Sequence, residues 1–379
     1  MEILLGTSAL EPRTYLVTVS EHLERLGHEV RVFAAEPLAA PEGLRVVGVE
    51  RDLPLAPGVI YSQDAEAALL LADLYPLTPQ LFAAHGDRED VWLPPQLAGV
   101  VARVVVFDDR TGERVRAAAL PQELVRLRRP VDLELRVPRG PLPDRPTRAR
   151  TQLDGLSDYR RGVVQRVLAE ARVELDDDAE VVLGHGQAVV DALAEGRAAY
   201  VYGEDGGDGW VTPERYEALE ADGFSGRLGP TTTTFERLRA DFEGYDPALG
   251  PAGRELAQAH DARAHAQQLV AAFDEVKPRR DPVDAPLREL ARVVRVEAAT
   301  ARRAAAAAAS AERAGARAHA LEQQLAAARA GNAELEARRD ELERKLREAE
   351  AQLEQLEAQR KRGVRSLLAR EGKIPSSEG

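Results

Sequence analysis

Cysteine is missing from all 379 residues. Its absence excludes disulfide staples, zinc–thiolate sites and a cysteine nucleophile. Histidine is limited to seven, and none sits at HExxH or HxxxH spacing, so a structural metal is not expected. Basic residues are in deficit: 51 Lys and Arg stand against 64 Asp and Glu, for a net charge of -13. That balance argues against nucleic acid and anionic membrane surfaces as partners. No apolar run approaches the ~20 residues needed to cross a bilayer. The opening MEILLG has neither a basic leader nor an apolar signal core. A soluble, cytoplasmic chain without a transmembrane segment is the expectation.

Proline is absent from Leu287 to Arg370, where Gly appears only at 315, 331 and 363. In that segment Leu321, Leu335, Leu342 and Leu356 share one heptad position with Ala328 and Ala349. Leu325, Leu346 and Leu353 occupy the complementary one, along with Asn332, Arg339 and Arg360. A single Asn at such a position favours two parallel strands, because it pairs with its twin across the seam. Flanking Glu, Arg and Gln suit charge pairing between helices. The expectation is a coiled coil over 287–370 and a parallel homodimer through 321–356; a solitary charged helix is the plainer alternative.

The rest of the chain alternates short apolar runs with helical spacing, as in a doubly wound parallel sheet. In residues 1–137 strands are predicted at 2–5, 29–34, 44–49, 59–62, 80–84, 100–107 and 124–127, and helices at 15–26 and 65–74. A proline-rich linker, 138–147, leads to a second α/β region, 148–276, with a strand at 148–153 and a helix at 158–171. A second linker spans 277–286, and 371–379 reads as a disordered tail. The fold class is therefore α/β, with two Rossmann-like domains, the second apparently shortened, followed by a long helix.

The densest signal is AEVVLGHGQAVVDALAEGRAAYVYGEDGGDGWVT. It reads as strand, glycine loop (Gly184, His185, Gly186), helix from Gln187, strand 198–202 and a second glycine loop at 203–209. Such a unit places a helix N-terminus at the carboxyl edge of a parallel sheet, where a phosphate is readily held. The bland reading is an ordinary crossover whose glycines serve only the turns.

Three passages resemble the GT-B-fold glycosyltransferases, in particular the bacterial retaining family-4 type, over about residues 1–275. They are EHLERLGHEVRVFAAE, VVVFDDRTGERVRAAALPQELVRLRRPVD and LGHGQAVVDALAEGRAAYVY. The resemblance implies a hexosyl-type transferase acting on a nucleotide-sugar co-substrate, with no cofactor. It would set Gly184, His185, Gly186 and Gln187 against the diphosphate and Asp191 on the ribose. Asp205, Gly206 and Gly207 would lie on a flexible loop meeting donor or acceptor. His85 would face the sugar as the catalytic candidate, or else be a strand-end histidine bonded to a carbonyl. Gly6, Thr7 and Ser8 would form the first-strand loop at the same cleft. The acceptor would be a glycan or related molecule.

Three departures stand beside that resemblance, and the missing acid, the short second domain and the long C-terminal helix favour an alternative, a catalytically inactive scaffold dimerised by its coiled coil. Leu183 stands where the family has an acid, the first loop has one glycine rather than two, and only RVELDDDAE separates helix 158–171 from the next strand. Other features read plainly. GEDGGDGW misses the calcium-loop spacing. Trp210 reads as core against Tyr216 and Phe224. The TTTT run reads as loop and helix cap before Phe235, and HDARAH as a surface helix with His260 and His265 on different faces.

Overall fold

The computed structural model describes residues 1–9, 14–36, 45–47, 53–85, 95–118, 120–138, 140–152, 156–203, 206–229, 233–278 and 284–371. They form two units, Met1–Thr300 and Ala301–Gly379.

The first unit begins with β1 (Glu2–Ala9), α1 (Thr14–Arg25), β2 (Glu29–Glu36), β3 (Val46–Val47), β4 (Val59–Ser62), α2 (Ala65–Leu74) and β5 (Gln80–Ala84). A 3₁₀ turn at Pro95–Gly99 precedes β6 (Arg103–Val106), α3 (Asp109–Ala117) and β7 (Glu123–Arg126). These strands make one parallel sheet in the order β3-β2-β1-β4-β5-β6-β7. Alternate residues serve opposite faces, as the two-residue strand period requires. Ile3, Leu5, Val30, Val32, Val59, Tyr61, Leu81 and Val105 join α1 residues Leu16, Val19 and Leu23 in one core. Phe82, Ala84, Val104 and Val106 face the other side, against Ala65, Ala68, Leu69 and Ala72 of α2.

Two helices of the first sheet start where a carboxylate caps them. Asp64 accepts from the Ala67 N–H to open α2, and Asp108 accepts from Thr111 to open α3. The sequence series omits α3, because DRTGERVRA carries almost no apolar spacing; among its nonpolar side chains Val115 is the large one it buries. Its cap, rather than a hydrophobic stripe, marks its start.

The second sheet is built from β8 (Arg148–Thr151), α4 (Asp158–Ala171), β9 (Glu174–Leu175), β10 (Val181–Gly184), α5 (Gln187–Ala194), β11 (Ala198–Gly203) and β12 (Gly206–Trp210). Its order is β12-β11-β10-β8-β9, parallel except for β12. Where the sequence leaves no room for a further strand and helix, the chain places only the two-residue edge strand β9. Four helices follow: α6 (Pro213–Ala221), α7 (Phe235–Glu243), α8 (Leu249–Leu256) and, after a 3₁₀ turn at Ala257–His260, α9 (Ala262–Asp274). Thr234 caps α7 by accepting from the Arg237 N–H, as expected of the threonine run; Thr231 and Thr232 lie outside the described residues.

Two expectations are corrected here. The glycine-rich 203–209 segment is no open loop, because Gly206–Trp210 pairs antiparallel with β11. Its glycines let backbones touch. A Cβ at Gly203 would collide with the Ser225 carbonyl oxygen, and one at Gly226, which has φ +85, would lie 2.7 Å from both Gly203 N and Gly206 O. The second correction is the domain boundary at 276. Ala266, Leu269, Ala272 and Phe273 of α9 belong to the core of the first sheet, beside α1. The last helix, α10 (Ala285–Glu371), likewise begins by burying Leu287 and Ala291 against the other face of that sheet. Leu269→Ala is therefore expected to cost about 3 kcal/mol, measured by urea denaturation. A loss below about 1 kcal/mol would show that α9 does not close that core.

The second unit, by itself, consists of the remainder of α10 up to Glu371. Among its described side chains, Leu321, Leu325, Leu335, Leu342, Leu346, Leu353 and Leu356 are 52% to 66% exposed. Among the described residues no helix is long and apolar enough to cross a membrane.

Candidate functional site

At the carboxyl edge of the second sheet, β10 ends in Gly184, where a Cβ would press on Ala188 at 3.1 Å. Gly186 caps α5 with φ +57 and no side-chain cap bond, and its own N–H donates to the Phe224 carbonyl at 3.1 Å. The first turn of the helix thus carries backbone N–H groups without a side-chain cap. Gln187 donates through Nε2 to Pro130 O at 3.1 Å and to Asp191 Oδ1 at 3.0 Å. The second Asp191 oxygen accepts from Arg136 Nη2 at 3.0 Å, while Arg136 Nη1 donates to Glu195 at 2.5 Å. Burial pushes the Asp191 carboxyl above its ordinary range; the Gln187 bond and the Arg136 charge work against that rise. The carboxylate expected on a ribose is therefore already held by a neighbour on its own helix and by Arg136.

In the first sheet, Gly6, Thr7 and Ser8 are part of strand β1 and not a loop. The Ser8 N–H and the Thr7 hydroxyl both donate to Asp64 Oδ2, at 2.7 and 3.1 Å. A Cβ at Gly6 would run into the Leu71 side chain, so glycine here lets α2 lie close on the strand. His85 follows β5 and donates through Nε2 to Gln63 Oε1 at 2.6 Å. Its ring stacks on Phe107 at 4.9 Å and meets the edge of Tyr15 at 4.8 Å.

The two carboxyl edges are joined by a short run of contacts. Arg129 lies on the crossing between the sheets, its guanidinium 5.6 Å over the Phe107 ring. Its Nη2 donates to the His85 carbonyl at 2.9 Å and to Asp108 Oδ2 at 3.3 Å. Asp108 in turn abuts Gly223 (φ +70), where a Cβ would come within 2.8 Å of the carboxylate, and the next residue, Phe224, receives the Gly186 N–H. Beside it the crossing arginines meet α6: Arg126 donates to both Glu220 oxygens at 2.8 and 2.9 Å, and Arg128 to Glu217 at 3.1 Å. His85 on one edge and Gly184–Gln187 on the other thus border one seam. Gly206 and Gly207 do not reach it as a free loop: both are buried, and a Cβ at Gly207 would lie 2.8 Å from Thr233 Oγ1. Asp205 lies outside the described residues.

His260 and His265 correct the surface-helix expectation, for both are buried, at 2% and 4% exposure. His260 Nδ1 faces the Arg129 carbonyl at 2.8 Å and its Nε2 faces the Tyr216 hydroxyl at 2.9 Å. His265 Nδ1 faces the Arg128 carbonyl at 2.9 Å and its Nε2 the Tyr15 hydroxyl at 3.3 Å. A carbonyl only accepts, so in each ring Nδ1 carries the proton and Nε2 takes one from tyrosine. Trp210 is half-buried and packs at the edge of the core against Tyr200, Phe242 and Tyr245; Tyr216 and Phe224, the expected neighbours, pack with His260 instead. Arg129, Arg136 and the two histidines carry no motif, and nothing in their sequence spacing singles them out.

The described architecture is thus that of two Rossmann-like α/β sheets meeting at their carboxyl edges. No protein-family model matches the chain. No curated protein matches it either. Among solved structures it is similar to sucrose-phosphate synthase from Thermosynechococcus elongatus, with TM-score 0.49 and 13% identity over 73% of this chain and 98% of that one. It is also similar to Anabaena Alr3699/HepE in complex with UDP-glucose, with TM-score 0.48 and 12% identity over 73% and 100%. A glycosyltransferase from Rickettsia africae gives TM-score 0.46 and 12% identity over 72% and 98%.

Proposed function

We propose that this chain is a cytoplasmic glycosyltransferase of the retaining family-4-like type, moving a sugar from a nucleotide-sugar donor to a glycan or related acceptor. The observation that carries this reading is the seam itself. Two parallel sheets present their carboxyl edges to each other, and ligands of α/β sheets bind at that edge. The α5 N-terminus, opened by Gly184–Gln187, would take the diphosphate. Its N–H groups stabilise the charge that grows on the departing phosphate, so no strong base is required. His85 would meet the sugar from the opposite edge, with Gly6, Thr7 and Ser8 beneath it. Asp191 would accept from the ribose hydroxyls after exchanging its Arg136 or Gln187 bond. We also assign self-association to the leucine stripe of α10.

The second reading, a donor-less scaffold, draws on the same Asp191: both of its oxygens are satisfied within the chain. A thermal-shift panel of UDP, GDP, ADP and their sugar conjugates separates the two. A working donor site predicts that one nucleotide at ~100 times its Kd adds ~2.7 kcal/mol of stability. Asp191→Asn should abolish that shift while the unliganded protein stays folded. Flat curves across the whole panel favour the scaffold.

A further inference from the structure

Along the leucine face of α10 runs a shallow groove of about 370 Å³, lined by Leu335, Arg338, Arg339, Leu342, Glu343 and Leu346. With the leucines at heptad positions a and d, these six residues are the a, d, e and g positions of a single stretch. That is the surround that receives a knob from a facing helix. The pattern of charge beside it determines which helix can come.

From residue 336 to 357 every e position is Glu: Glu336, Glu343, Glu350 and Glu357. The g positions are Arg338, Lys345, Gln352 and Gln359, none of them acidic. In a parallel, in-register pair, each g side chain faces the e position five residues on in the other copy. Arg338 then meets Glu343, and Lys345 meets Glu350, twice over. In an antiparallel pair e faces e and g faces g, which sets Glu against Glu and Arg against Lys. Asn332 at an a position meets its own twin only in the parallel register.

We infer that the partner of α10 is a second copy of this chain, parallel and in register, with the direction chosen by the separation of acidic e from basic g positions. This rests on the self-association reading above and adds, to the parallel direction that Asn332 suggests, the register and the charge separation that selects it. Parallel alignment brings both copies of residue 301 to the same end.

The chain has no cysteine, so a single introduced one reports only its own position. Ala349 is an exposed d position, and facing d residues of a parallel pair lie within disulfide reach, ~6 Å between Cα atoms. Oxidised full-length Ala349→Cys is expected to run as a covalent dimer, and the unoxidised protein to sediment as a dimer. A monomer in sedimentation overturns both this inference and the self-association reading. A dimer that fails to cross-link through residue 349 overturns the orientation alone. Glu343→Lys/Glu350→Lys is expected to weaken self-association at least about tenfold, as four attractive pairs become repulsive. Mixing it with Arg338→Glu/Lys345→Glu should restore pairing as a heterodimer. Undiminished self-association of the lysine variant overturns the charge assignment.

Discussion

Gly226→Ala is expected to destabilise the unit of residues 1–300 by about 4 kcal/mol or more and to lower its Tm by about 6 °C. Two independent costs add at this position. Its φ of +85 lies where an L side chain is strained, worth about 1–2 kcal/mol. The new methyl would also meet Gly203 N and Gly206 O at 2.7 Å. Both obstacles are backbone of the β11–β12 hairpin, so no rotamer change relieves them, and overpacking of this kind costs about 3 kcal/mol. Gly162→Ala is the control. Gly162 lies on the exposed face of α4 with nothing within 4 Å of its Cβ position. Alanine there should raise stability by about 0.5–1 kcal/mol. If scanning calorimetry gave the two variants equal Tm values, the close crossing of the two backbones would be wrong.

The second large effect is on pH. Burial pushes His260 and His265 down to about 4 from an ordinary value of 6.5. For His260 the bond to the Arg129 carbonyl pulls the other way, and the charges of Arg128, Arg129 and Arg126 deepen the shift. The unfolded chain therefore binds up to two more protons than the folded one between these limits. Because stability rises with pH wherever the unfolded state binds more protons, it must fall as pH drops from about 6.5 towards about 4. By pH 5 each histidine has cost about 2 kcal/mol, about 4 kcal/mol for the pair. Asp191 and Asp208 oppose this, since burial raises both and they take up protons while folded. Urea denaturation at about pH 7.5 and about pH 5 reads the net slope. His260→Gln/His265→Gln should start lower and change less. Equal stability of the unaltered protein at both pH values would sink the idea.

Where a segment could satisfy itself locally, the sequence was legible. β4, α2, β5 and α4 fall on their predicted residues, because a capping Asp64 or Ser157 and a regular apolar spacing determine them without help. Misreadings came where long-range partners decide. The histidines look surface-bound only if residues 252–273 form one helix. Asp261 breaks that helix with ψ 121 and caps α9, which places His260 and His265 on separate elements, each turned inward. The glycines at 203–209 suggest mobility, yet the backbone of Ser225 and Gly226 lies against them. Nothing about Asp191 announces that Arg136, 55 residues earlier, will hold it. The edges that form the candidate site could be read; the contacts that join them could not.

The return of α9 to the first sheet bears on how the chain is made. During synthesis β1 to β7 emerge with Ile3, Leu5, Val30 and Val32 covered on their shared face only by α1. Leu269 and Phe273, which complete that face, follow roughly 140 residues after β7, about 10–30 s later at ordinary elongation speeds. Throughout that interval the nascent first half is an unfinished, sticky product that a holding chaperone would recognise. A ribosome stalled between the two halves would release the segment most prone to aggregate.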